Sequence, residues 1–158
     1  MKKTSFSFTL LLFSITLLFS HCRSGGANAH SALEEAQKAI AESNAIYFES
    51  FARNDSSVFI NSYAKDACIM APGAKQLCGP EAAAAFFKTA YEQYGLRGGE
   101  FITTAVYGDG IEYVTEEGLW QSFDEKGVLF DDGKFLVLWK KTAAGWKMFR
   151  DSFSSIRN

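Results

Sequence analysis

Residues 133–154 read GKFLVLWKKTAAGWKMFRDSFS, two strand-like runs joined by a short turn. Lys134 to Lys141 and Trp146 to Ser154 are rich in aromatic and aliphatic side chains, and Thr142 to Gly145 between them is a hairpin signal. Reading back towards the N-terminus, the pattern repeats. Ile111 to Phe123 is a long strand, with Asp124-Glu125-Lys126-Gly127 as a turn after it and Gly108-Asp109-Gly110 as a turn before it. Phe101 to Tyr107 is β-rich, Gly98-Gly99 is a linker into it, and Val128 to Phe130 leads to a turn at Asp131-Asp132-Gly133. Before residue 98 the period changes to that of helices. Ser31-x-x-Glu34 is a capping box, and Leu33, Ala36, Ile40, Tyr47 and Phe51 follow at helical spacing with Phe48 alongside. Asn44 falls on the same stripe, where a polar side chain needs a buried partner or a cavity. Asp55 can cap a second, short helix carrying Val58, Phe59 and Tyr63. Ala67 to Ala71 is a short strand ending at Pro72-Gly73. Gly79-Pro80 opens a third helix, with proline at the first helical position where its missing N–H costs nothing. Helices followed by a meander of antiparallel strands make an α+β layout.

The chain has 158 residues and a formal net charge of −2, enough for one domain with a tail and without the basic stripe of a nucleic-acid binder. Met1-Lys2-Lys3 and the apolar run from Phe6 to Phe19 are too short to span a membrane and read as a secretory signal, residues 1–21. Two processing sites compete. Cys22, in Leu18-Phe19-Ser20-His21-Cys22, resembles the lipidated cysteine of bacterial lipoproteins; Ala27-Asn28-Ala29 is a small-x-small site for ordinary signal peptidase. Both predict export from a bacterial cytoplasm, with a membrane contact only through a lipid on Cys22. Residues 22–30 read as a flexible tether and 31–158 as the folded domain. Cys68 and Cys78 are then either a disulfide across the Pro-Gly turn or two small core residues.

The order of these segments resembles the nuclear transport factor 2-like superfamily, which includes ketosteroid isomerases and SnoaL-like polyketide cyclases, and more narrowly the domain-of-unknown-function family 4440. The stretches that carry it are Tyr47 to Asp55, Tyr63-Ala64-Lys65-Asp66-Ala67 with Pro72-Gly73, and Gly79-Pro80-Glu81-Ala82. Gly108-Asp109, Glu117-Gly118, Gly133 to Lys140, and Gly145-Trp146-Lys147-Met148 with Asp151 complete it. The resemblance implies a cone: a curved antiparallel sheet wrapped around the long N-terminal helix, with further short helices and a pocket at the open end. It also implies a homodimer, paired through the outer face of the sheet. It implies no single activity.

Ketosteroid isomerases place an oxyanion-binding tyrosine eight residues before the aspartate that ends the first helix, and Tyr47 stands eight before Asp55. Their catalytic base precedes a proline after the first strand, and that place is Ala71. Their second acid lies on the penultimate strand, which here reads Phe135-Leu136-Val137-Leu138. The isomerase mechanism therefore does not transfer in its known form. A substitute base is sought among Asp151 on the last strand and Glu112, Glu116 and Glu117 on the long middle strand, Glu117 and Asp151 above all, since a buried acid beside a cavity is a candidate for proton transfer. Strand alternation puts Glu117, Leu119, Gln121 and Phe123 on one face and Glu116, Gly118 and Trp120 on the other, with either face open to the cone. The histidines, His21 and His30, fall outside the domain, so neither a Ser-His-Asp nor a Cys-His site is built. No metal-ligand spacing and no cofactor motif is present. The load of 15 Phe, 6 Tyr and 3 Trp points instead to an apolar site. The expected pocket residues are Asn44, Tyr47, Phe51, Phe87, Trp120, Phe135, Phe149 and Asp151, and the expected partner is a small apolar or aromatic molecule.

Overall fold

The apolar stripe of the N-terminal segment buries Ala36, Ile40, Tyr47, Phe48 and Phe51 along one side of α1, Ser24–Arg53. The computed structural model describes residues 24–157; the expected export signal, residues 1–21, and Cys22 lie outside the described residues. The helix starts at Ser24, so residues 24–30 are helical where the sequence predicts a tether, and Ser31 lies inside the helix. No proline interrupts this stretch, and His30 pairs with Glu34 one turn on at 3.3 Å. Asp55 caps α2, Ser56–Asn61, by accepting from the Ser57 N–H at 3.0 Å. Tyr63 does not continue α2. It opens β1, Tyr63–Met70, because it pairs in the ladder with Met148. β2, Leu77–Cys78, and α3, Pro80–Glu92, follow. Then come β3, Gly98–Gly108; β4, Tyr113–Phe123; β5, Leu129–Thr142; and β6, Gly145–Ser155.

The six strands form one curved sheet in the order β2-β1-β6-β5-β4-β3 around α1. All neighbours are antiparallel except β1 and β6, which run parallel, so the sheet is mixed. Parallel neighbours need a long crossover, and α3 with the β3–β5 meander supplies it. Cys68 and Cys78 face each other across β1 and β2 and are joined as a disulfide.

Two glycine readings change. Asp131-Asp132-Gly133 is not a turn but part of β5, opposite Ser122, Gln121 and Trp120 of β4. A Cβ on Gly133 would overlap the Ser154 carbonyl, so glycine there permits close approach of β6. Gly99 lies within β3, where a Cβ would strike the Phe48 ring of α1.

Burial alternates along β4 and β5 so that Val114, Glu116, Trp120 and Ser122 meet Phe135, Val137 and Trp139 under α1. The face holding Glu116 is therefore the concave one, and Glu117 and Leu119 point out. In β6 the inward set shifts. Trp139 pairs with Met148 but Leu138 pairs with Arg150, leaving Phe149 as an extra residue, a β-bulge. Before the bulge Trp146 and Met148 are buried inward; after it Asp151 is.

Candidate functional site

The bulge brings Asp151 under a cavity of about 300 Å³ enclosed by α1, α3 and the inner face of the sheet. Its wall is rich in rings: Tyr47 and Phe48 from α1, Phe86 from α3, Phe101 from β3, Trp120 from β4, Phe130 from β5 and Phe153 from β6. Ala71 and Pro72 close one side, so the position that carries the base in ketosteroid isomerases faces the cavity here with a methyl group. The polar contribution comes from Ser122, Asp131, Asp151, Ser155, Thr89 and the tyrosine hydroxyls. Among the described residues, none that lines the cavity is a cation.

A short hydrogen-bond chain anchors the acid. Tyr63 donates its hydroxyl proton to Asp151 Oδ2 at 2.6 Å. A phenol has one proton to give, so the 3.1 Å contact between the two hydroxyls is Tyr47 donating to Tyr63. Asp151 is only 7% exposed. Burial pushes its carboxyl up to about 6; the Tyr63 hydrogen bond opposes this, and the charge of Glu116 adds to it. Burial, then the negative charge of Asp151, hold both Tyr47 and Tyr63 well above the ordinary phenol value. Near neutral pH the tyrosines are therefore neutral donors and the aspartate is the group that titrates. Its second oxygen, Oδ1, has no hydrogen-bond partner among the described residues.

Glu116 is a second interior acid. It is fully buried, and Asn44 Nδ2 at 2.7 Å and Thr103 Oγ1 at 2.6 Å donate to its Oε1, while Trp139 Nε1 donates to Oε2 at 2.9 Å. Burial raises its pKa, and the three donors pull it back. Glu116 pairs with Val137, and Val137 with Asp151, so the two acids stand in one row on the same face with one strand between them. Neighbouring strands are about 4.8 Å apart, which puts the two backbones about 10 Å apart.

Of the residues expected at the pocket, Tyr47, Trp120 and Asp151 line it. Asn44 does not, because it turns to Glu116. Phe51 and Phe87 stack on each other at 4.6 Å and fill the core beneath. Phe135 is likewise core, packed edge-on against Phe101. Phe149 is carried out of the site by the bulge and lies against Tyr113, with the Arg150 guanidinium 3.7 Å and the Lys140 ammonium 4.8 Å from its ring centre. Glu117 is on the outer face, 3.4 Å from the Tyr107 hydroxyl. Sequence reading missed Tyr63 as a link to Asp151 and Phe101 and Phe130 as cavity wall, and it weighed Glu117 where Glu116 is the interior acid of β4. The signal for Glu116 was Asn44: a polar residue on an apolar stripe demands a partner, and Glu116 shares a face with Trp120.

No protein-family model and no curated protein matches the sequence. Solved structures do match. A ketosteroid isomerase-like protein from Erwinia carotovora atroseptica is 20% identical, covering 80% of this chain and 97% of its own, with a TM-score of 0.63. A nuclear transport factor 2-like protein with a cystatin-like fold from Novosphingobium aromaticivorans is 17% identical over 84% of this chain and 89% of its own, TM-score 0.67. A nuclear transport factor 2-like protein of unknown function from Shewanella oneidensis is 18% identical over 75% and 98%, TM-score 0.63. At these identities the shared property is the fold, the nuclear transport factor 2-like cone.

Proposed function

We propose that this chain is an exported cell-envelope protein that binds a small apolar or aromatic molecule in the cone. The observation that carries this reading is the ring-lined cavity with one buried carboxylate at its base, the usual make-up of a small-molecule site. Within the superfamily we read the chain as resembling domain-of-unknown-function family 4440, which by itself implies no activity. Export is supported by the basic start with its apolar run and by the Cys68–Cys78 bond, which suits an oxidising compartment. Mass spectrometry of the mature N-terminus tests it: a lipidated Cys22 is the expected result, and an unmodified chain starting at His30 removes the anchor. A thermal-shift screen of aromatic and alicyclic molecules tests the pocket. Tyr47→Phe and Asp151→Asn should each change the affinity of a hit while leaving the far-ultraviolet circular dichroism spectrum unchanged. If neither does, the pocket is misassigned.

Asp151 favours a second reading, proton transfer in an isomerase, cyclase or dehydratase. A carboxylate poised near pH 6 in an apolar cavity is a workable general base. Ala71 argues against the ketosteroid isomerase version, because it leaves Asp151 as the acid nearest the tyrosines. Deuterium uptake by a bound ketone, lost in Asp151→Asn, would support catalysis; no uptake leaves binding alone.

A further inference from the structure

Resting on the ligand-binding reading above, we infer that the cavity selects an organic cation: an ammonium group on an apolar or aromatic skeleton. Three features converge on this class. The first is charge. Among the described residues, the cavity wall has two carboxylates, Asp151 and Asp131, and no lysine, arginine or histidine. Glu116, the other buried acid, stands one strand further along the row from Asp151. A low-dielectric cleft lined by one sign of charge attracts the opposite sign and repels its own.

The second feature is the free oxygen. Tyr63 occupies Asp151 Oδ2, but no described residue engages Oδ1, although the side chain is more than nine-tenths buried and borders the cavity. A donor on a ligand in the cavity can complete this carboxylate in place of water. Asp131 differs: its Oδ1 already accepts from the Ser155 hydroxyl at 2.7 Å and the Asp132 N–H at 2.9 Å. Asp151 is therefore the contact atom and Asp131 a background charge.

The third is the rings. Their faces carry partial negative charge, and cations are drawn to them. Tyr47, Phe101, Trp120 and Phe153 line the same cavity as the acid, so an ammonium with an apolar body can use both. One donor opposes this. Trp120 Nε1 is buried without a partner, and would suit an acceptor on the ligand. It is a neutral N–H set against two carboxylates, so it tunes the ligand's polar substituents and does not reverse the preferred charge.

The test uses three probes of nearly one shape and different charge: 2-phenylethylammonium, 2-phenylethanol and phenylacetate. They are titrated calorimetrically into the full-length chain near pH 8, where Asp151 is ionised. The ammonium should bind about tenfold more tightly than the alcohol, and phenylacetate most weakly. Asp151→Asn should cancel the preference for ammonium while leaving alcohol binding within about twofold. Asp131→Asn should keep most of the preference. If the alcohol binds as well as the ammonium, or phenylacetate binds best, the cation inference is overturned while the ligand-pocket reading stands. If none of the three binds, both fall. The wild-type ranking decides the matter even if Asp151→Asn fails to fold.

Discussion

Asp151 occupies a place where an ionised carboxylate costs free energy, and that cost has a sign that can be measured. Its folded pKa, about 6, lies above the ordinary 3.8. Between those two values the native state binds more protons than the unfolded chain. Stability from this group is thus fully present below pH 3.8 and is lost as pH rises to about 6, by up to about 3 kcal/mol. Asp151→Asn should remove this part of the pH dependence and stabilise the protein at neutral pH relative to wild type. Urea unfolding of both proteins across that window checks it; parallel curves would mean that the carboxyl is not desolvated as placed. Asp55 and Asp66 act in the opposite direction, since hydrogen bonds from Ser57 and Lys140 hold them below the ordinary value, but they are common to both proteins. That a carboxylate sits at residue 151 is written in the sequence. That it faces inward is not, because a one-residue bulge at Phe149 reverses the alternation after it.

At the scale of elements, Glu116 ties α1, β3, β4 and β5 together through Asn44, Thr103 and Trp139. Glu116→Ala leaves the buried Trp139 N–H and the half-buried Asn44 amide without their acceptor, while the exposed Thr103 hydroxyl can turn to water, and should cost about 2 kcal/mol in urea unfolding. A loss below about 0.5 kcal/mol, the range of ordinary surface changes, would show the network to be dispensable. The β1–β2 disulfide closes the Pro72-Gly73 loop, and Cys68→Ala/Cys78→Ala should cost about 2–3 kcal/mol if the bond forms in the mature protein. A peptide map under non-reducing conditions reports the bond directly. Most of the elements were legible from periodicity and turn residues: the stripe of α1, the Asp55 cap, Pro80 opening α3, and the hairpin at Thr142 to Gly145. The failures within the sheet have one cause. Asp131-Asp132-Gly133 has turn composition, yet its neighbours Ser122, Gln121 and Trp120 hold it in a ladder, and local preference yields to pairing partners far away in the chain.

For the whole molecule, the sheet separates two environments. Its concave side wraps α1 and the cavity, while its convex side shows Ile102, Leu119 and Leu136, which are 41%, 42% and 47% exposed. Ile102 lies directly opposite Leu119, and Leu136 faces Glu117 two residues along β4, so the three side chains form one patch. The homodimer proposed from the resemblance would bury this patch. Leu119→Lys should then give monomers by light scattering without loss of the fold; a wild-type monomer at high concentration would remove the proposal.

The α+β class, most of the helix and strand order and the density of rings can be read from the chain alone, because they follow from local periodicity, turn chemistry and composition, whereas the cone is expected only from the family resemblance. Tertiary structure decided which of those rings stand at the cavity and which fill the core, since Phe51, Phe87 and Phe135 are chemically no different from Phe48, Phe86 and Phe101. It also decided which acids are interior. The sheet face, the bulge and the parallel β1–β6 pairing set those positions, and each depends on contacts between residues far apart in the chain.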